Sequence, residues 1–147
     1  MNQLHSNNAK DEEERGKNME RMVYKTDRET RILFEDDYKG RHFVIVSYGT
    51  HPCAYVEVTD TKYAYLGYDE LEDKIRCHGG LTYADNLDHV LGENNRWFIG
   101  WDYAHAGDYM GYDELFNFKS RFKDKKWTTE EIYEEVKSVI EQLEELL

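Results

Sequence analysis

The chain has one proline, two cysteines and no uninterrupted apolar run long enough to cross a bilayer. Each shortage excludes something. Cys53 and Cys77 make neither a disulfide framework nor a CxxC metal knuckle, so they read as small side chains buried in strands. The first residues lack the apolar core of a secretory signal, and with no spanning segment to expect, the expected location is the cytoplasm. Basic residues are scarce too. With 19 Lys and Arg against 31 Asp and Glu the formal net charge is -12, which opposes contact with nucleic acid or anionic membranes. No direct nucleic-acid binding is expected. A small anion held by backbone amides, or a basic protein surface, remains a compatible partner.

What is present is aromatic. Aromatics make up 14% and hydrophobics 39% of 147 residues, enough for one folded domain even though 34% of the chain is charged. Residues 1–22 are polar, with the charged run Asp11-Glu12-Glu13-Glu14-Arg15, and read as a tail; residues 23–147 read as a single domain. Met19 and Met22 are alternative starts.

Residues 31–35 and 42–48 are rich in β-branched and aromatic residues, and residues 35–40 between them carry turn chemistry, so a hairpin is expected. Pro52 has no amide hydrogen for a ladder and breaks the pattern, which resumes over residues 53–58. Three strands on short connections form an antiparallel meander. Residues 59–74 are acidic and hold Tyr63, Tyr65 and Tyr68; Gly67-Tyr68-Asp69-Glu70-Leu71 recurs as Gly111-Tyr112-Asp113-Glu114-Leu115, too short an echo for a repeat fold. Two more strands are expected over residues 75–83 and 96–103, with a polar loop at 84–95.

Residues 119–126 form a basic cluster. After it, Thr128-Thr129-Glu130-Glu131 matches a capping box, and Ile132, Val136, Val139, Ile140, Leu143 and Leu147 follow at helical spacing. The glutamates on the other face read as a solvated surface. The predicted fold is α+β, a mostly antiparallel β-sheet meander packed by a C-terminal amphipathic α-helix.

Function concentrates in CHGGLTY at residues 77–83 and WFIGWDYAHAGD at residues 97–108, where His, Asp, Gly and large aromatics are dense. If their strands pair, His78 and His105 meet on one rim of the sheet. Three chemistries fit. His78 with the Gly79 and Gly80 amides, and the Thr82 hydroxyl, can take a phosphate while Tyr83, Trp97, Trp101 or Tyr103 stacks on a base. His78 and His105 can share acid and base roles on a phosphodiester, Asp102 or Asp108 holding a tautomer. His78, Asp102, His105 and Asp108 can instead supply mixed metal ligands, but no HExxH-type spacing occurs, and neither metal nor cofactor is expected. Against all three, a histidine beside aromatics is more often a hydrogen-bonded packing residue, and His5, His42, His51 and His89 are given no role.

The pattern His78-Gly79-Gly80-Leu81-Thr82-Tyr83 followed by residues 97–108 resembles a family of small, largely uncharacterised proteins of phages and prophages, from about Ile32 to the C-terminal helix. The resemblance implies a phage accessory gene and a counter-defence role in the cytoplasm of an infected bacterium. It implies no established activity. The leading expectation is a protein that captures, or captures and cleaves, a nucleotide-derived immune signal, and a protein that captures by sequestration is expected to self-associate. As an enzyme it would be a phosphodiesterase-like hydrolase using His78, His105 and Asp102. The alternatives are an acidic inhibitor of a basic host defence protein, such as an anti-CRISPR, and an unrelated small hydrolase.

Overall fold

Two residues at positive φ, Lys39 at 51° and Gly40 at 78°, reverse the chain between β1 (Arg31–Tyr38) and β2 (Arg41–Ser47). A two-residue hairpin loop with both dihedrals positive matches strand twist, so the ladder runs on to Tyr38 paired with Arg41. The turn is therefore shorter than residues 35–40, and Glu35, Asp36 and Asp37 lie in the strand. The computed structural model describes residues 29–109 and 124–147. The tail, the second copy of the tyrosine echo and most of the basic cluster lie outside the described residues.

β3 (Pro52–Glu57) begins on its proline, opposite Ser47, a strand's first position being one where proline is tolerated. β5 (Phe98–Asp102) pairs with β3, and β4 (Tyr83–Asp85) pairs with β5, giving an antiparallel five-stranded sheet in the order β1-β2-β3-β5-β4. The expected strand over residues 75–83 is corrected by this structure. Only its last residue enters β4, because Gly79 at φ 69° and Gly80 at φ 83° put the chain in a turn closed by Gly80 N–H to Cys77 O at 3.0 Å. Ile75 still reaches the core from the turn before it.

The sheet is covered on both faces. Phe43, Ile45, Ala54, Val56, Ile99 and Trp101 pack under the C-terminal helix, which buries Ile132, Val136, Val139, Ile140 and Leu143. That helix, α2 (Thr129–Leu146), starts with the expected capping box: Thr128 Oγ1 accepts from Glu131 N at 3.1 Å and Glu131 Oε1 accepts from Thr128 N at 3.0 Å. Val44, Val46, Cys53, Tyr55 and Phe98 face the other way and pack on Leu87 with Val90 and Leu91. The last two belong to α1 (Asp88–Leu91), one short helical turn inside what reads as a polar loop. Tyr55 lies so close across Gly100 that a β-carbon there would stand 2.5 Å from the ring. Among the described residues no helix is long and apolar enough to cross a membrane.

Candidate functional site

β4 and β5 run antiparallel with Tyr83 opposite Gly100, so the turn before β4 that carries His78 and the turn after β5 that carries His105 lie at the same end of the pair. The two rings do meet. Their centroids are 5.6 Å apart, edge to face.

His78 is held on every side. Its Nε2 lies 2.7 Å from Asp108 Oδ2, its backbone N–H donates to Glu135 Oε2 at 3.0 Å, and its ring stacks on Tyr103 at 4.8 Å with an interplanar angle of 7°. Trp127 closes another side, 4.9 Å away edge to face. The Tyr103 hydroxyl donates to Glu135 Oε1 and accepts from Trp101 Nε1 at 3.0 Å, so one carboxylate on α2 fixes both the backbone and the stacking partner of His78.

Asp108 is buried and has three donors. Besides His78, the His105 amide reaches Oδ2 at 2.9 Å and the Trp127 indole reaches Oδ1 at 2.8 Å. Burial pushes the Asp108 carboxyl up, but the His105, His78 and Trp127 hydrogen bonds outweigh it and hold it below the usual carboxylate range. The aspartate stays ionised, and His78 Nε2 is the natural donor to it, which leaves Nδ1 as that ring's available nitrogen.

His105 is organised by a second aspartate. Its Nε2 sits 3.2 Å from Asp102 Oδ1, without the alignment of a hydrogen bond, and is sealed from solvent by Gly79. Asp102 is itself anchored by the Thr82 hydroxyl at 3.1 Å and the Ala104 amide at 3.1 Å. In both rings Nε2 therefore turns inward to a carboxylate. Among the described residues no group of three or more His, Cys, Asp and Glu is arranged to hold a metal ion.

Of the aromatic wall expected around the histidines only Tyr103 is in place, and Trp127 supplies the rest. Trp101 is sealed in the core, and Trp97 at the far end of β5 packs on Tyr65 and donates to Leu66 O at 3.1 Å. Tyr83 packs edge to face on Tyr55 against the opposite side of the sheet, and its hydroxyl donates to Asn86 O. Of the expected residues, His78, Gly79, Asp102, Tyr103, His105 and Asp108 come together, with Thr82 behind Asp102. Gly80 lies on the turn with open space around it. Trp97, Trp101 and Tyr83 stand apart from the pair.

Three residues were missed. Glu135 borders the apolar stripe of α2, three residues after Ile132 and four before Val139, a position that a solvated glutamate would not need. Trp127 directly precedes the Thr128 cap, where an apolar side chain packs back on the helix start. His51 precedes Pro52, whose carbonyl accepts from Tyr103 N at 3.0 Å, and its Nδ1 is 3.0 Å from Thr50 Oγ1. Burial lowers the His51 pKa, opposed in part by the carboxylates of Asp102 and Asp108. Burial pushes both Cys53 and Cys77 thiols up to about 12, so neither is a ready nucleophile.

In comparisons with family models, curated proteins and solved structures, no match to this chain was found.

Proposed function

We propose that His78 and His105 form an acid and base pair that binds a phosphate-bearing, nucleotide-derived signal and hydrolyses its phosphodiester. The reading belongs to a phage counter-defence protein that removes an immune messenger. The observation that carries it is the 5.6 Å approach of two imidazoles that each keep Nε2 beside their own aspartate. Such a pair can serve one phosphoryl group bound beside the two rings. In the balanced step, His78 Nδ1 takes a proton from the attacking water, the new P–O bond forms as the ester P–O bond breaks, and protonated His105 gives its proton to the leaving oxygen. Asp108 keeps the His78 tautomer, Asp102 stands beside the inward-facing Nε2 of His105, and Tyr103 and Trp127 restrain the His78 ring rather than stack on a base.

Recognition then rests on phosphate more than on the nucleobase, since Trp97, Trp101 and Tyr83 are engaged elsewhere. The test is incubation of the pure protein with cyclic dinucleotides, cyclic oligonucleotides and ADP-ribose derivatives, followed by thermal shift and mass spectrometry. Hydrolysis lost in His78→Ala and in His105→Ala, with the fold retained, supports the reading. Products that persist in both variants overturn it.

A further inference from the structure

β4 is the edge of the sheet, and among the described residues nothing pairs with its outer side. An open groove of about 540 Å³ runs there, between Thr82, Tyr83, Ala84 and Asp85 on one bank and residues 67–72 on the other. Its charge has one sign: Asp69, Glu72 and Asp85 line it, and none of them takes part in an ion pair with a described residue. Tyr68 lines it and is exposed by 38%, and Tyr65 and Leu66, just ahead of Gly67 in the chain, are exposed by 59% and 41%; they are three of the four large apolar residues that the described chain leaves in solvent. An unpaired strand edge offers backbone donors and acceptors, and exposed rings beside it offer apolar contact.

We infer that this edge is a docking groove for an extended lysine- or arginine-rich segment of another protein, which adds to the sheet as a strand beside β4. Main-chain hydrogen bonds supply the pairing, the three carboxylates select a cationic segment, and Tyr68 packs on the aliphatic stems of its side chains. Charge complementarity decides the occupant. A second copy of this chain would bring the same carboxylates against these and carries the same net charge of -12, so edge pairing between copies is opposed. The inference is independent of the histidine site.

The test is fluorescence anisotropy with a labelled octapeptide of alternating Lys and Val, beside one of alternating Glu and Val. The lysine peptide should bind, more weakly as salt rises, and the glutamate peptide should not. Asp69→Lys with Asp85→Lys should weaken binding by roughly tenfold or more, while Glu145→Lys on α2 leaves it unchanged. Replacing two valines of the lysine peptide by proline should abolish binding, because proline cannot donate to the ladder. The His78→Ala protein should bind as well as the native chain, so the two readings fail separately. The inference is overturned by no binding, by binding indifferent to the prolines or to the Asp69 and Asp85 changes in a protein whose circular dichroism is native, or by sedimentation showing that the edge pairs with a second copy.

Discussion

Gly79 lies directly against the imidazole of His105: a β-carbon at Gly79 would stand 2.1 Å from Nε2. That contact also requires φ of 69°, a conformation that costs an ordinary residue about 1–2 kcal/mol. Gly79→Ala is therefore expected to push His105 away from Asp102 as well as to destabilise the turn by about that amount. Histidine ring resonances in an NMR spectrum should move for His105 and His78 and stay in place for His42. Unmoved His105 resonances would contradict the packing.

Asp108 is the hub of the site, so Asp108→Asn removes the charge while keeping the volume. Loss of an ionised acceptor with three buried donors should cost about 1–3 kcal/mol in urea unfolding. If His78 is a general base, hydrolysis should fall by about a hundredfold or more. The carboxyl pKa is depressed in the folded state, so its contribution to stability is present above the ordinary value of 3.8 and disappears as pH falls through the lowered one. Acid unfolding of Asp108→Asn should be less steep than that of the native protein.

His42 has a carboxylate on each ring nitrogen, Asp37 at 2.6 Å from Nδ1 and Glu35 at 2.7 Å from Nε2. Burial lowers its pKa, yet the hydrogen bonds to Glu35 and Asp37 outweigh burial and the net shift is upward from 6.5. A raised folded pKa stabilises fully below 6.5, and the benefit is lost as pH rises through the higher value. Melting temperature should therefore fall as pH rises from the ordinary value of 6.5 through the raised one, and His42→Gln should flatten that part of the profile. A slope identical in both proteins would remove His42 as its cause.

Ile140 is fully buried between α2 and the sheet, among Ile132, Val136 and Leu143. Ile140→Ala should cost about 2–5 kcal/mol through lost transfer energy and the cavity left behind. Glu145→Ala on the exposed side of the helix should stay within about 0.5 kcal/mol. Urea titration of the two variants checks both.

Much of the fold was legible because its causes are local. The capping box at Thr128 and Glu131, the apolar stripe from Ile132 to Leu143, and the β-branched and aromatic composition of β2 and β3 each depend on residues within a few positions, and each stands as read except that Leu147, also placed on the stripe, is exposed. The meeting of His78 with His105 was expected from pairing of the strands that carry them, and it holds although both histidines lie on turns outside the paired residues. Where tertiary contacts compete with local pattern the reading failed. Residues 75–83 have strand composition, but two consecutive glycines at positive φ make a turn of it. Leu87 and Leu91 look like loop residues until a second sheet face must be covered.

By itself the sequence determined the strand meander and the helix that packs on it, and marked the two segments that carry the histidines, because hydrophobic periodicity and composition are properties of a chain. Only the tertiary structure decided that Trp101 belongs to the core, that Trp127 and Glu135 hold His78, and that Asp108 is its partner. Those assignments depend on which side chains a distant segment brings within hydrogen-bonding reach, and separation along the chain carries no record of that distance.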